Sequence, residues 1–294
     1  MLACEDKLVK KVALLKRLGL FDPNSPVTVR RAVSRKDLQT AYQLVHSAFV
    51  EKGYIEPRPG GLRIRTFETL PEMATFVAEL EQEIIAVMSI VPDSEAMGLP
   101  SNGAFGQEID SLRRSGRRVC EITNLAVVSK HRRSNAFPEL TRACFAQALA
   151  WQCDDIFIAI SPGHAAFFEG VLQFEPFGDQ RSYSPEKEDI VEGKRLDLGT
   201  IDERWRQADR DLGDGAFLHD YYFKHNSYHH CVRRWSSVAR RAFLEPELLR
   251  ELFVEQSGFL QRCRPEVLDA ICRCWGDAVF DQVCSRETAE LRVA

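Results

Sequence analysis

Cys120-Glu-Ile-Thr-Asn-Leu-Ala-Val-Val128, followed at once by Lys130-His-Arg-Arg-Ser-Asn-Ala136, is the stretch whose reading decides the fold. The first nine residues are strongly β-prone, with polar side chains set into an apolar run. The second block is basic and opens a helix expected from about Pro138 to Cys153. Ile156 to Ile160 is nearly all apolar, as expected of a strand buried on both faces. Strand, basic loop, helix and buried strand make one parallel crossover unit.

The elements on either side extend this unit. Val27 to Val33 alternates like a strand, and Ser34-Arg-Lys-Asp37 resembles a capping box opening a helix to about Gly53. Gly53 to Gly61 holds two prolines and three glycines and reads as a loop. Thr75–Leu80 and Ile84–Val91 flank Glu81-Gln82-Glu83 as a hairpin. Residues 92–118 form a turn-rich insertion with a short helix near 107–115. Beyond Ile160, a helix over 163–172 and a strand from Phe174 to Tyr183 are expected, with Arg195-Leu-Asp-Leu198 closing the unit. From about residue 200, Leu244–Phe253, Gly258–Arg264 and Pro265–Val283 read as helices. The expected architecture is mixed α/β (α+β), divided into an N-terminal amphipathic helix (1–25), a sheet-and-helix domain (26–200) and a helical C-terminal appendage (201–294).

Composition narrows the function classes. The chain has 294 residues and a formal net charge of −4, which argues against a general nucleic-acid binder. Lys10, Lys11, Lys16 and Arg17 interrupt the apolar pattern of residues 8–18, unlike a secretory signal. A cytoplasmic location with nine reduced cysteines is therefore expected. The basic amphipathic helix over 5–18 packs on the unit or touches a membrane surface peripherally. No Cys-x-x-Cys occurs, and neither Cys272 with Cys274 nor His219, His225, His229 and His230 has the spacing of a metal set.

Glu121 is the principal candidate for chemistry: a carboxylate mid-sheet beside a cleft can act as a general base. Its alternative is a place on an exposed sheet face. Backbone N–H groups at the following helix start, with Lys130, Arg132 and Arg133, make an anion site suited to phosphate; the alternative is a solvated basic turn. Arg113, Arg114, Arg117 and Arg118 join those three to give seven cations against one glutamate, as in a patch that steers an acidic partner. They could instead pair with Glu108 and Asp110. His164 stands at a helix start and fits a capping role better than a catalytic one, and Phe167 and Phe168 read as core.

The strand, the basic loop, the buried strand and His164-Ala-Ala-Phe-Phe-Glu-Gly-Val-Leu-Gln-Phe174 together resemble the GNAT acyltransferases. A collinear series is more specific: Gly53-Tyr-Ile-Glu-Pro-Arg-Pro-Gly-Gly-Leu-Arg63, the hairpin from Thr75, Pro92-Asp-Ser94, Gly98-Leu-Pro100, Glu108-Ile-Asp-Ser-Leu-Arg-Arg114, Gly116-Arg-Arg118, Glu121-Ile-Thr-Asn-Leu-Ala-Val127 and Arg195-Leu-Asp-Leu198. It resembles the long-chain N-acyl amino acid synthases, which are similar to acyl-homoserine lactone synthases, and covers about residues 27–200.

The resemblance implies a GNAT-like fold and transfer of a long-chain acyl group from an acyl carrier protein thioester to an amino acid's amine. Glu121 would be the base, and backbone N–H groups of Leu125, Ala126 and Val127 would receive the oxyanion at a strand bulge. Lys130, Arg132, Arg133, Ser134 and Asn135 would hold the phosphopantetheine phosphate. No tightly bound cofactor or metal is implied. Asn135 and Phe137 stand where the superfamily loop has small residues, which suits a carrier-protein arm better than coenzyme A. Phe168 stands where many relatives have a proton-donating tyrosine. Asn124 and Val45 stand where lactone synthases carry arginines, which favours plain N-acylation. An acyl-coenzyme A-dependent acetyltransferase and a non-catalytic thioester-binding module are the alternatives.

Overall fold

The computed structural model describes residues 20–184, 187–212 and 218–284. The helix expected over residues 5–18 lies outside them. Strand β1 (Thr28–Arg31) precedes helix α1 (Arg35–Glu51). Ser34 accepts from the Asp37 N–H, and Asp37 accepts from the Ser34 N–H, so the capping box read from sequence sets the helix start. Hairpin strands β2 (Ala74–Leu80) and β3 (Glu83–Pro92) follow. Helix α2 (Asn102–Arg114) begins earlier than the sequence pattern suggested, because Phe105, Ile109 and Leu112 all find burial against Val119 and Phe157. Then come β4 (Val119–Val127), α3 (Ala136–Ala150), β5 (Asp155–Ile160) and α4 (Pro162–Gly170).

Two expectations are corrected in the next segment. The single strand expected over 174–183 is two short pieces, β6 (Glu175–Pro176) and β7 (Arg181–Ser184). The principal strand here is β8 (Lys187–Asp197), only the end of which was foreseen. Its charges obscure its pattern, yet it lies against β5 and is paired on both sides. The sheet runs β1-β2-β3-β4-β5-β8-β6, with β7 on β8. All neighbours are antiparallel except β4 and β5.

The C-terminal helices are α5 (Leu198–Leu212), α6 (Tyr228–Phe243), α7 (Pro246–Arg250, continued by a wider turn to Gln256), α8 (Pro265–Trp275) and α9 (Asp277–Cys284). Gly258–Arg264 is not a helix but holds one tight turn, and Pro265–Val283 is two helices broken at Gly276, whose φ of 85° suits glycine. These helices share cores with the sheet. Phe145 of α3 packs on Trp205 and Tyr222 at 5.4 Å each, and Trp275 donates to Thr69 O at 2.7 Å. Under the start of α3, buried Glu139 accepts from Arg142, Tyr221 and Tyr228, each at 2.7 Å. Its charge is therefore compensated by groups from both halves of the chain.

A chain ending at residue 200 would strip those covers and leave Phe145, Leu140 and Glu139 facing water. Such a fragment should be insoluble or lack a cooperative thermal transition. A soluble fragment that melts cooperatively would contradict this packing account.

Candidate active site

β4 and β5 pair in parallel only at Val119–Asp155, Cys120–Ile156 and Glu121–Phe157. Beyond Glu121 the strands part. A bulge helps to part them: Met88 of β3 lies opposite both Asn124 and Leu125, so β4 carries one extra residue here. Asn124 has a φ of 56°, a left-handed conformation that asparagine tolerates. Ile85 O accepts from the Val128 N–H at 2.9 Å, so Val127 and Ala86 form the alternate, non-hydrogen-bonded pair. The Val127 N–H therefore turns away from β3, toward the side that β5 has left.

A cavity of about 710 Å³ occupies the gap. Glu121 to Val127 line one wall and Ile158 to Ser161 the opposite one. Phe137, Phe145, Phe167, Phe168, Leu172 and Trp205 make the far part apolar, and Trp205 and Tyr222 bring the C-terminal helices into the lining. Lys52 and Arg132 also face it.

Glu121 lies where the strands separate and is 2% exposed. The residue before α2 holds it: the Ser101 N–H donates to Oε2 at 2.9 Å and the Ser101 hydroxyl to Oε1 at 2.7 Å. Burial pushes its pKa up to about 7, against the opposing pull of the Ser101 hydrogen bonds and of Arg65. Arg65 is itself committed to Glu68 at 2.9 Å, and Asn124 joins both.

The basic loop is divided in its roles. Arg132 and Ser134 line the cavity, and Arg132 reaches Glu51 at 3.3 Å. Lys130 is exposed and lies 3.4 Å from Glu83, and Arg133 is exposed. The Asn135 side chain is buried elsewhere, accepting from the Phe21 N–H at 2.6 Å and donating to Glu139 at 3.3 Å.

The seven cations do not form one patch. Arg113 pairs with Asp93 and Asp110, and Arg117 with Asp155 and Asp197. Glu108 pairs instead with Arg181. The arginines before β4 are separated from the loop after it by the nine-residue strand, about 26 Å at ~3.3 Å per residue. His164 is exposed at the cavity, and the backbone of Ser161 receives its N–H. Ser101 and Tyr183 gave no sequence signal, and Tyr54 stood only as one residue of the matched series. Tyr54 bonds Ser161 at 3.0 Å, and Tyr183 donates to Pro100 O at 3.3 Å; both line the cavity. Among the described residues no cluster of His, Cys, Asp or Glu could hold a metal ion, and no helix is long and apolar enough to cross a membrane.

A sheet opened at a parallel pair, with a carboxylate at the fork, is the arrangement of a GNAT-like N-acyltransferase, and the protein is an enzyme of that class. It belongs to the N-acyl amino acid synthase FeeM family, whose model matches residues 40–191. The structure of FeeM, an N-acyl amino acid synthase from uncultured soil microbes, has the same fold, with 21% identity and a TM-score of 0.52 over 60% of this chain and 93% of that one. The chain also superimposes on the CoA-dependent acyl-homoserine lactone synthase BjaI, with 16% identity and a TM-score of 0.43 over 62% of this chain and 88% of that one. An N-acetyltransferase from Staphylococcus aureus Mu50 gives 16% identity and 0.44 over 58% and 98%. No curated protein matches the chain.

The raised pKa of Glu121 makes stability depend on pH. A carboxyl whose folded pKa lies above its ordinary value of 4.5 contributes stability below 4.5 that is lost as pH rises through about 7. The full swing is at most about 3 kcal/mol. Glu121→Gln removes this dependence, so melting profiles should show the variant gaining on wild type between pH 5 and 8. A constant difference across that range would contradict the buried, late-titrating carboxyl.

Proposed function

We propose that the enzyme moves a long-chain acyl group from a carrier-protein thioester to the amine of an amino acid. The observation that carries this reading is a mostly apolar cavity entered beside a basic loop, with one buried carboxylate where its walls meet. An amino acid amine is mostly protonated at neutral pH. Glu121, with a pKa near 7, removes a proton directly or through a water. The amine attacks the thioester carbonyl, and the carbonyl electron pair moves onto oxygen. The Val127 N–H at the end of the bulge segment receives that oxyanion, while the Ala126 N–H, opposite Val87 in the ladder, faces β3 and takes no part. The carbonyl then reforms, the C–S bond breaks and the second amine proton is released. A thiol pKa of about 8.5 lets the sulfur leave as thiolate, so Phe168 need not supply a proton.

Arg132, Ser134, Lys130 and Arg133 hold the phosphopantetheine phosphate, with the start of α3 behind them. Asn135 contributes through the backbone alone, since its side chain is engaged. The acyl chain lies among Phe137, Phe167 and Phe168 toward Trp205. In this reading Trp205 and Tyr222 help to complete the acyl site, so the segment after residue 200 is not a detachable module. The carrier protein docks at the loop end of β4, not near Arg113 and Arg117, whose charges are already paired.

Glu121→Gln should fold and lose about 10²–10⁴-fold in turnover, typical of a general base. The wild-type rise of kcat/KM through pH 7 should vanish with it. A variant with near-wild-type turnover at neutral pH would contradict the assignment.

Charge reversal at Arg132 and Arg133 together should raise KM for the carrier-protein donor, and the effect should shrink with salt, since screening acts beyond about 8–10 Å. Equal use of acyl-coenzyme A and acyl carrier protein, both indifferent to the reversal, would contradict the donor assignment.

A further inference from the structure

Two charge-bearing side chains, Glu121 and Arg63, are buried in the cavity wall. The proposed reaction uses the first and leaves the second without a task. Arg63 is 8% exposed. Its backbone N–H donates to Tyr42 O of α1 at 3.2 Å, and its guanidinium lies 4.5 Å from the centre of the Phe49 ring. Nη1 donates to Asn124 Oδ1 at 2.9 Å. The guanidinium is thereby fixed against the bulge, three residues along β4 from Glu121.

What Arg63 lacks is a counter-charge in direct contact, since nearby Glu68 is taken by Arg65. Its Nε is buried and has no hydrogen-bond partner among the described residues. Among those residues no carboxylate lies within ion-pair distance of it, whereas neighbouring Arg65 holds Glu68. A buried cation left without an anion is costly. Burial and the like charge of Arg65 lower its pKa to about 9, against a weaker opposing attraction from Glu68, so it still carries its charge at neutral pH. The cavity is the open side from which an anion can reach it.

We propose that Arg63 receives the α-carboxylate of the amino acid acceptor. This rests on the reaction proposed above and adds what selects its acceptor. An α-amino acid carries its amine and its carboxylate on one carbon. A base and an unpaired guanidinium beside the same strand bulge match that pair, and guanidinium binds carboxylate through parallel hydrogen bonds. A plain amine would reach Glu121 but leave Arg63 buried and unpaired, so the site rejects it. Arg63 is a positioning and specificity residue: it touches the acceptor and takes no proton.

The test uses the full chain with myristoyl carrier protein as donor. Products from the twenty common amino acids, read by mass spectrometry, identify the best acceptor. Wild type is then compared on that acceptor and on the amine made by removing its carboxylate. Wild type should prefer the amino acid strongly. Arg63→Gln, which can still bond Asn124, should raise the acceptor KM at least ~30-fold, with a much smaller change in kcat, and shrink the preference for the carboxylate accordingly. Arg63→Lys should restore part of it. Wild type using the two acceptors equally well would overturn the inference without any variant. So would a folded Arg63→Gln that keeps the preference, that loses both acceptors in equal measure, or whose donor KM rises in place of the acceptor KM. If wild type acylates no amine at all, the proposed reaction falls, and the role of Arg63 falls with it.

Discussion

The structure depends on where the pairing of β4 with β5 stops. Three residue pairs hold these strands together, the last being Glu121 with Phe157. Extending the ladder would have satisfied more backbone groups, so the opening must be held by other means. The bulge at Asn124 and Leu125 bends β4 locally, and side chains of α3, α4 and α5 line the gap without closing it. Asn124 is tied by Arg63, Arg65 and Glu68, so the irregular step in the strand is itself cross-linked. The fork creates the cavity, buries the carboxyl at its base and turns the Val127 N–H toward the cavity.

A second buried charge explains why the helices after residue 200 belong to the same folded body. Glu139 lies in the first turn of α3, behind the basic loop; Arg142 neutralises it and two tyrosine hydroxyls from the C-terminal segment donate to it. Asn135 joins that cluster and also caps the chain at Phe21. The loop that faces the cavity is thus anchored from beneath, while Arg132 and Ser134 remain available to a ligand. This division of labour, buried polar residues below and exposed cations above, is why one short loop contains residues of both kinds.

The sequence made the central crossover legible because its apolar residues report burial directly. Ser34 with Asp37 marked a helix start, and Glu81 to Glu83 marked a hairpin, since each is a local motif. β8 stayed hidden because its charges find partners remote in sequence: Lys194 pairs with Glu169 of α4, Arg195 with Asp155 of β5, and Asp197 with Arg117 from the segment before β4. A strand whose charges are satisfied that way shows no apolar alternation. Glu121 stood out as a carboxylate in an apolar run, but Ser101, which holds it, comes from an insertion twenty residues earlier and nothing local links them. Arg63 was one residue in a matched series. Its lack of a partner is a property of the folded neighbourhood and has no trace in the chain. The run of cations before and after β4 misled for a related reason: sequence proximity conceals the length of the strand between them.

The account stands on one physical claim, that the fork in the sheet keeps Glu121 buried and titrating near neutrality. Carbon-13 NMR of protein labelled at the glutamate carboxyls, with the Glu121 resonance assigned from its absence in Glu121→Gln, measures this directly. The account predicts a single resonance titrating near pH 7. A Glu121 carboxyl that titrates in the ordinary range, about 4 to 5, would contradict it.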